Sequence, residues 1–177
     1  MKNIIILLVT VFFFASCGSA PAKSEEPVAS AETKDVSGFS LNLEKVDGGT
    51  FSLEDIRGKK HLVAAFWATW CEPCKQELKK LAEIYPAFSD SVEFVGISTD
   101  TEELIDKVNE FAVEAALPFP ILVDPSGNTV GSMIPGGDSV PYMMLVDKNG
   151  VVVSRHSGYN PGDEEALKRE LETLLSR

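Results

Sequence analysis

From Phe39 the chain alternates apolar and polar positions. FSLNLEKVDGGTFSL carries apolar residues at every second place on both sides of Asp47-Gly48-Gly49. Period-two alternation around such a turn predicts a β-hairpin. The pattern then changes. Leu62 to Trp67 (LVAAFW) is apolar throughout, and Val92 to Ser98 (VEFVGIS) nearly so. Short continuous apolar runs predict strands covered on both faces. Between them, Glu72 to Phe88 repeats its apolar residues at helical spacing. Thr101 to Ala116 predicts a second helix, opened by Asp100 or Thr101 as N-cap. FPILVD (Phe119 to Asp124) predicts a third buried strand. PYMMLVD and VVVSRH flank Lys148-Asn149-Gly150, whose Asn-Gly suits a tight hairpin turn. Asp163 to Leu175 predicts a closing helix.

The expected order is therefore hairpin, β, α, β, α, β, short helix, β, β, α. Alternating β and α elements imply a parallel core with helices on both faces, and the late hairpin adds an antiparallel edge. The fold class is α/β: a central mixed sheet with an N-terminal β-hairpin extension, as one domain over residues 39–177. No internal repeat interrupts it.

The residues before Phe39 do not share this patterning. Ile4 to Ala15 is an apolar run of 12 residues behind Lys2. A membrane-spanning helix needs about 20, whereas this length suits the apolar region of a signal peptide. The run ends in FASC, Phe14 to Cys17, which resembles a bacterial lipobox, with Phe14 where that signal usually has Leu. The resemblance implies a lipoprotein signal peptide over residues 1–16 and lipidation of Cys17. The alternative is an ordinary secretory signal cut near Ala20, which would discard Cys17. Residues 18–38 are small, polar and proline-containing, and read as a flexible tether. Its root-mean-square reach is on the order of 25 Å. A lipid anchor holds because each buried methylene contributes about 0.8 kcal/mol. Either signal puts the domain outside the cytosol, where disulfides persist.

Composition narrows the function only a little. With 44% hydrophobic residues among 177 the chain can build a real core. Its formal net charge is -11, from 27 acidic and 16 basic residues. That argues against a nucleic-acid partner, which would require a basic footprint.

The candidate chemistry lies in FWATWCEPCKQE, Phe66 to Glu77. It contains Cys71 and Cys74, the two cysteines left once Cys17 is assigned to the leader. A structural zinc wants four ligands, and only His61 and His156 remain outside the motif, so no metal is expected. Haem attachment needs His after the second Cys; Lys75 stands there. A structural staple gains stability with loop length, and two residues enclose almost no loop. A redox role fits better. The motif joins a buried strand to a helix N-terminus, where free N–H groups and the dipole favour a thiolate. Such placement lowers a thiol pKa from about 8.5 toward roughly 3.5–7.5. Pro73 is tolerated in the first turn. Cys71 would be the exposed attacking thiolate and Cys74 the resolving thiol.

At about 100° per residue, Cys74, Leu78, Leu81, Ala82, Ile84 and Tyr85 share one arc of this helix. Glu77 falls inside that arc. Two readings stay open for it: a helix-flank acid paired with Lys80, or an acid held near the dithiol with its pKa raised by desolvation. The second would let it exchange protons with the cysteines.

FWATWCEPCKQE, together with SVPYMMLVDKNGVVVSRHSGY, resembles the thioredoxin-like superfamily. Within it, the chain is similar to the ResA/TlpA-like branch of extracytoplasmic thiol-disulfide oxidoreductases. The resemblance runs from about Phe39 to the C-terminus. It implies a thioredoxin-like fold and a cis bond before Pro141, facing the dithiol. Val140 would then pair its backbone with an extended substrate peptide. It also implies that Glu77 is the active-site glutamate. Thioredoxin itself has a buried Asp six residues before the first Cys, where this chain has Ala65. Glu72 and Pro73 lie between the cysteines, and Trp70 would flank the attacking sulfur or else be a half-buried packing residue. The branch often has Thr after the cis proline. Tyr142 stands there, and Pro135-Gly-Gly-Asp138 looks like a looser loop, so the docking surface would differ.

By the same resemblance, the substrate is a disulfide-containing protein, with apocytochrome c the example in this branch. The electron donor is a membrane thiol reductant, and no cofactor is needed beyond a redox-active Cys71–Cys74 disulfide. Two alternatives remain. A thiol peroxidase of the peroxiredoxin type is suggested by GISTD (Gly96 to Asp100) and the N-terminal hairpin. Ala64 and Ala68, however, occupy the positions where such enzymes have Pro and Thr or Ser. A non-catalytic lipoprotein would leave the Cys pair, Glu77 and Val140-Pro141 without a purpose.

Overall fold

The structure is a computed structural model that describes residues 40–135 and 139–177. The expected signal peptide, Cys17 and the tether lie outside the described residues, as do Phe39 and Gly136 to Asp138 of the PGGD loop. The elements are β1 (Asn42–Lys45), β2 (Thr50–Ser52), α1 (Leu53–Ile56), β3 (His61–Trp67), α2 (Glu72–Phe88) and β4 (Val92–Ser98). They continue with α3 (Ile105–Glu114), β5 (Ile121–Val123), α4 (Asn128–Met133), β6 (Tyr142–Val146), β7 (Val152–Ser157) and α5 (Asp163–Leu175).

The strands form one seven-stranded sheet in the order β2-β1-β5-β4-β3-β6-β7. The β3–β4 and β4–β5 pairs are parallel, and β6 and β7 run antiparallel beside β3. The N-terminal hairpin closes the far edge by pairing β1 antiparallel with β5, Glu44 opposite Val123. β3 is buried along its whole length, which explains its unbroken apolar run. Its alternate residues feed two cores. Val63, Ala65 and Trp67 meet Leu78 and Leu81 of α2, Val108 of α3, and Leu167 and Leu171 of α5. Leu62, Ala64 and Phe66 pack on the opposite face with Leu53 of α1 and Val130 of α4. Helices cover both faces, as the alternation of elements predicts. Among the described residues, no helix is long and apolar enough to cross a membrane.

Two local features depart from the sequence reading. The helix expected over residues 101–116 begins as a 3-10 turn, Glu102–Leu104, and is α-helical only from Ile105 to Glu114. Neither expected cap acts. Thr101 makes no side-chain cap bond, and the Asp100 carboxylate is occupied elsewhere. The single turn α1 was not expected either; Ser52 Oγ caps it by accepting the Glu54 N–H at 3.3 Å. The β6–β7 turn, by contrast, forms where Asn-Gly predicts it. Gly150 has φ 87°, a left-handed conformation that residues with side chains rarely adopt, so this turn favours glycine.

Candidate active site

The C-terminal end of β3 leads through Ala68–Trp70 into the first turn of α2. Cys71 is the N-cap of that helix, and its Sγ accepts the Cys74 N–H at 3.3 Å. Sulfur therefore faces one of the N–H groups that the helix itself leaves unpaired. Pro73 sits in the first turn, where its missing donor costs nothing. Cys71 and Cys74 form a disulfide with a Cα–Cα distance of 5.3 Å.

Cys74 is fully buried, as the helical arc predicts. Cys71, expected to be exposed, shows only 4% of its surface. In the disulfide its sulfur bonds to a buried partner and turns under the helix end, so the exposed group at this site is its neighbour. Trp70 is 68% exposed, which rules out a half-buried packing role. Glu72 is also at the surface, 3.6 Å from Lys75; ion pairs of that kind contribute little.

Three acids are buried among the described residues, Glu77, Asp100 and Asp124. Asp124 follows β5 and accepts the Val130 N–H and the Ser126 hydroxyl, and the other two border the dithiol segment. Glu77 is 4% exposed, and its Oε2 has no hydrogen-bond partner among the described residues. Of the two readings left open for Glu77, the pairing with Lys80 does not form. The Lys80 ammonium instead binds Glu83 at 2.8 Å, while Glu77 projects from the apolar arc toward α5. There Glu77 lines a small crevice with Met143, Tyr159, Asp163 and Glu164. Burial pushes its carboxyl up to about 8, with the Asp163 charge adding to the effect.

Asp100, the second acid, is 3% exposed and fully engaged. Its Oδ2 accepts the Thr69 N–H at 2.8 Å and the Ser98 hydroxyl at 2.9 Å. Its Oδ1 accepts the Thr69 hydroxyl at 2.7 Å. From sequence, Asp100 is only a possible helix cap and the end of GISTD. The available signal was position: GISTD ends a parallel strand beside β3, and functional groups in parallel sheets gather past the carboxyl ends of the strands.

The Val140–Pro141 bond is cis. Register locates it: Phe66 pairs with Tyr142, so the residues before Tyr142 run past the end of β3, the end from which Cys71 follows. The Pro141 carbonyl accepts the Gly158 N–H at 2.8 Å. Val140 makes no backbone hydrogen bond to another described residue. Tyr142 does not contribute to this surface. It is 6% exposed and packs on Phe66, on the sheet face opposite Cys74, because strand alternation sends it away from Met143. Asp138 lies outside the described residues.

The remaining candidates have local partners. His61 Nδ1 accepts the Lys148 N–H at 3.2 Å, and His156 Nε2 lies 3.1 Å from Glu170. Among the described residues, no cluster of three or more His, Cys, Asp or Glu is placed to hold a metal. Ala64 and Ala68 are both fully buried and apolar.

Comparison with known proteins agrees with this geometry. The AhpC/TSA family matches residues 33–155. The thioredoxin-like protein YneN of Bacillus subtilis (strain 168) is 30% identical over 168 residues, 94% of this chain and 95% of that one. The thiol-disulfide oxidoreductase ResA of Bacillus cereus is 31% identical over 133 residues, 75% of this chain and 70% of its own. The crystal structure of a putative thiol:disulfide interchange protein DsbE from Chlorobium tepidum superposes with a TM-score of 0.69 at 26% identity. It covers 77% of this chain and 93% of that one. The chain belongs to the AhpC/TSA family, and its fold is thioredoxin-like.

Proposed function

We propose that this thiol-disulfide oxidoreductase reduces disulfides of extracytoplasmic proteins from a lipid anchor at Cys17. The observation that carries the reading is the Cys71–Cys74 disulfide at the N-terminus of α2, at the sheet end shared with Val140-Pro141 and exposed Trp70. In the reduced enzyme, the Cys71 thiolate attacks one sulfur of a substrate disulfide. The substrate's other sulfur leaves as a thiolate and takes up a proton. Cys74 gives up its proton and attacks Cys71 Sγ, which releases the second substrate thiol and leaves the enzyme disulfide. Two electrons pass from the enzyme dithiol to the substrate. In its ionised form, buried Glu77, three residues beyond Cys74 on the same helix face, receives the Cys74 proton, and it returns that proton when the disulfide is reduced again. A membrane thiol reductant restores the dithiol.

Trp70, Glu72 and Pro73 form the contact surface beside the sulfur, and the backbone of Val140, unpaired among the described residues, pairs with an extended substrate segment. Apocytochrome c cysteines are the substrate favoured by the resemblance to the ResA/TlpA-like branch. The peroxidase alternative lacks a polar group at Ala64 or Ala68 to hold a peroxide. An insulin-reduction assay with a dithiol donor tests the reading. The wild-type protein accelerates reduction and Cys71→Ser abolishes the acceleration; full activity in Cys71→Ser would sink the mechanism.

A further inference from the structure

GISTD has no task in the chemistry above, yet its last residue is tied to the active-site segment. Asp100 collects three donors, two of them from Thr69, a residue 31 positions earlier. Thr69 directly precedes Trp70 and Cys71. A second tie lies alongside, with the Thr99 N–H donating to the Trp67 carbonyl at 2.9 Å. Between these ties the chain turns once, the Cys71 N–H donating to the Ala68 carbonyl at 3.0 Å. The four residues from β3 to the helix cap are thus held from the side by the end of β4, and not only by the elements they join.

This arrangement is costly to build. A buried carboxylate without an ion pair carries a desolvation penalty, and Asp100 has no ion pair among the described residues. Charge-assisted hydrogen bonds offset the penalty. Both Thr69 donors depend on it, one from the backbone and one from the side chain. The backbone bond fixes where residue 69 lies, and the hydroxyl bond fixes its rotamer.

We propose that Asp100 is a positioning residue for the attacking thiol. Through Thr69 it fixes the backbone from which Trp70 and Cys71 project, and so holds Cys71 Sγ against the first-turn N–H groups of α2. The inference rests on Cys71 being the nucleophile. It predicts a direction that a simple charge effect would not give. Removing a nearby negative charge lowers a thiol's pKa, whereas releasing the sulfur from the helix N-terminus raises it toward the free-cysteine value of about 8.5.

The test uses fully reduced, folded protein and the small disulfide 5,5′-dithiobis(2-nitrobenzoate), with Cys71 titrated by thiolate absorbance. Asp100→Ala slows the reaction at neutral pH by about tenfold, since small misplacements of reacting groups cost at least that much, and moves the Cys71 titration upward. Asp100→Asn rescues both readouts to within about twofold of wild type: its oxygen takes over the bonds at Oδ2 and its amide donates to the Thr69 hydroxyl. Thr69→Val repeats the defect in weaker form, and Thr69→Ser restores it. Should Asp100→Ala fail to fold, the Thr69 pair decides, because it changes a single hydroxyl bond. Alanine and valine variants that lose only thermal stability, with unchanged reactivity and an unmoved or lowered titration, would overturn the proposal. So would an Asp100→Asn variant as impaired as alanine. A wild-type protein with no Cys71-dependent reactivity would instead sink the redox reading beneath it.

Discussion

Glu77 and Asp100 are buried to the same degree, at 4% and 3% exposure, yet their surroundings are opposite. Asp100 sits where the loop after β4 meets the loop after β3, and three donors converge on it. Glu77 sits between α2 and the start of α5, with an oxygen that has no partner among the described residues and an acid, Asp163, as the neighbour that adds to its shift. A buried acid whose oxygens are matched by donors is part of the framework. A buried acid left without them holds its proton to high pH and is free to exchange it. One end of the sheet thus keeps one buried acid matched by donors and, among the described residues, one left short of them.

The largest test of that contrast is pH. Glu77 ionises near 4.5 when unfolded and near 8 in the native protein. Between these values the native state binds the extra proton, so its stability falls as pH rises through the window and levels off above it. The decline is on the order of 3–5 kcal/mol. Glu77→Gln should remove it: denaturant unfolding at pH 5 and pH 9 should show a much flatter profile, with the variant the more stable protein at pH 9. The groups that face Glu77 are Lys80 on its own helix, Asp163 and Glu164 on α5, and Tyr159 before α5. An unchanged decline would move the titrating group elsewhere.

Asp100→Ala comes next. It strands the Thr69 and Ser98 donors and should cost roughly 2–4 kcal/mol in denaturant unfolding at neutral pH. A loss below about 0.5 kcal/mol, the level of an ordinary surface change, would make the two acids alike. Thr69→Val removes one of the bonds and should cost about 1 kcal/mol by the same measurement. The smallest effect belongs to Lys80→Ala. Lys80 pairs with Glu83 on the surface, so the change should cost less than about 0.5 kcal/mol and leave the pH profile of Glu77 intact.

Much of this end of the molecule was readable in advance because the information is local. The apolar runs at Leu62–Trp67 and Val92–Ser98 specify buried strands, and Asn149-Gly150 specifies a turn. The 3.6-residue period places Glu77 among Leu78, Leu81 and Ile84, hence inside. What escaped reading depends on contacts distant in sequence. Asp100 finds its partner 31 residues away. The β1–β2 hairpin docks on β5, from the opposite half of the chain. Cys71 is covered because its sulfur is tied back to buried Cys74. Tyr142 is a different case: its inward direction follows from strand alternation alone, and its position beside Pro141 does not bring it to the docking surface.

The division of labour between the two cysteines is tested most directly by trapping. Cys74→Ser, reduced and mixed with a disulfide-containing peptide, should accumulate a covalent adduct, and mass spectrometry should place that adduct on Cys71. Cys71→Ser under the same conditions should accumulate none, since Cys74 is fully buried. Equal trapping on Cys74, or no adduct on either cysteine, would contradict Cys71 as the thiol that attacks and Cys74 as the thiol that resolves.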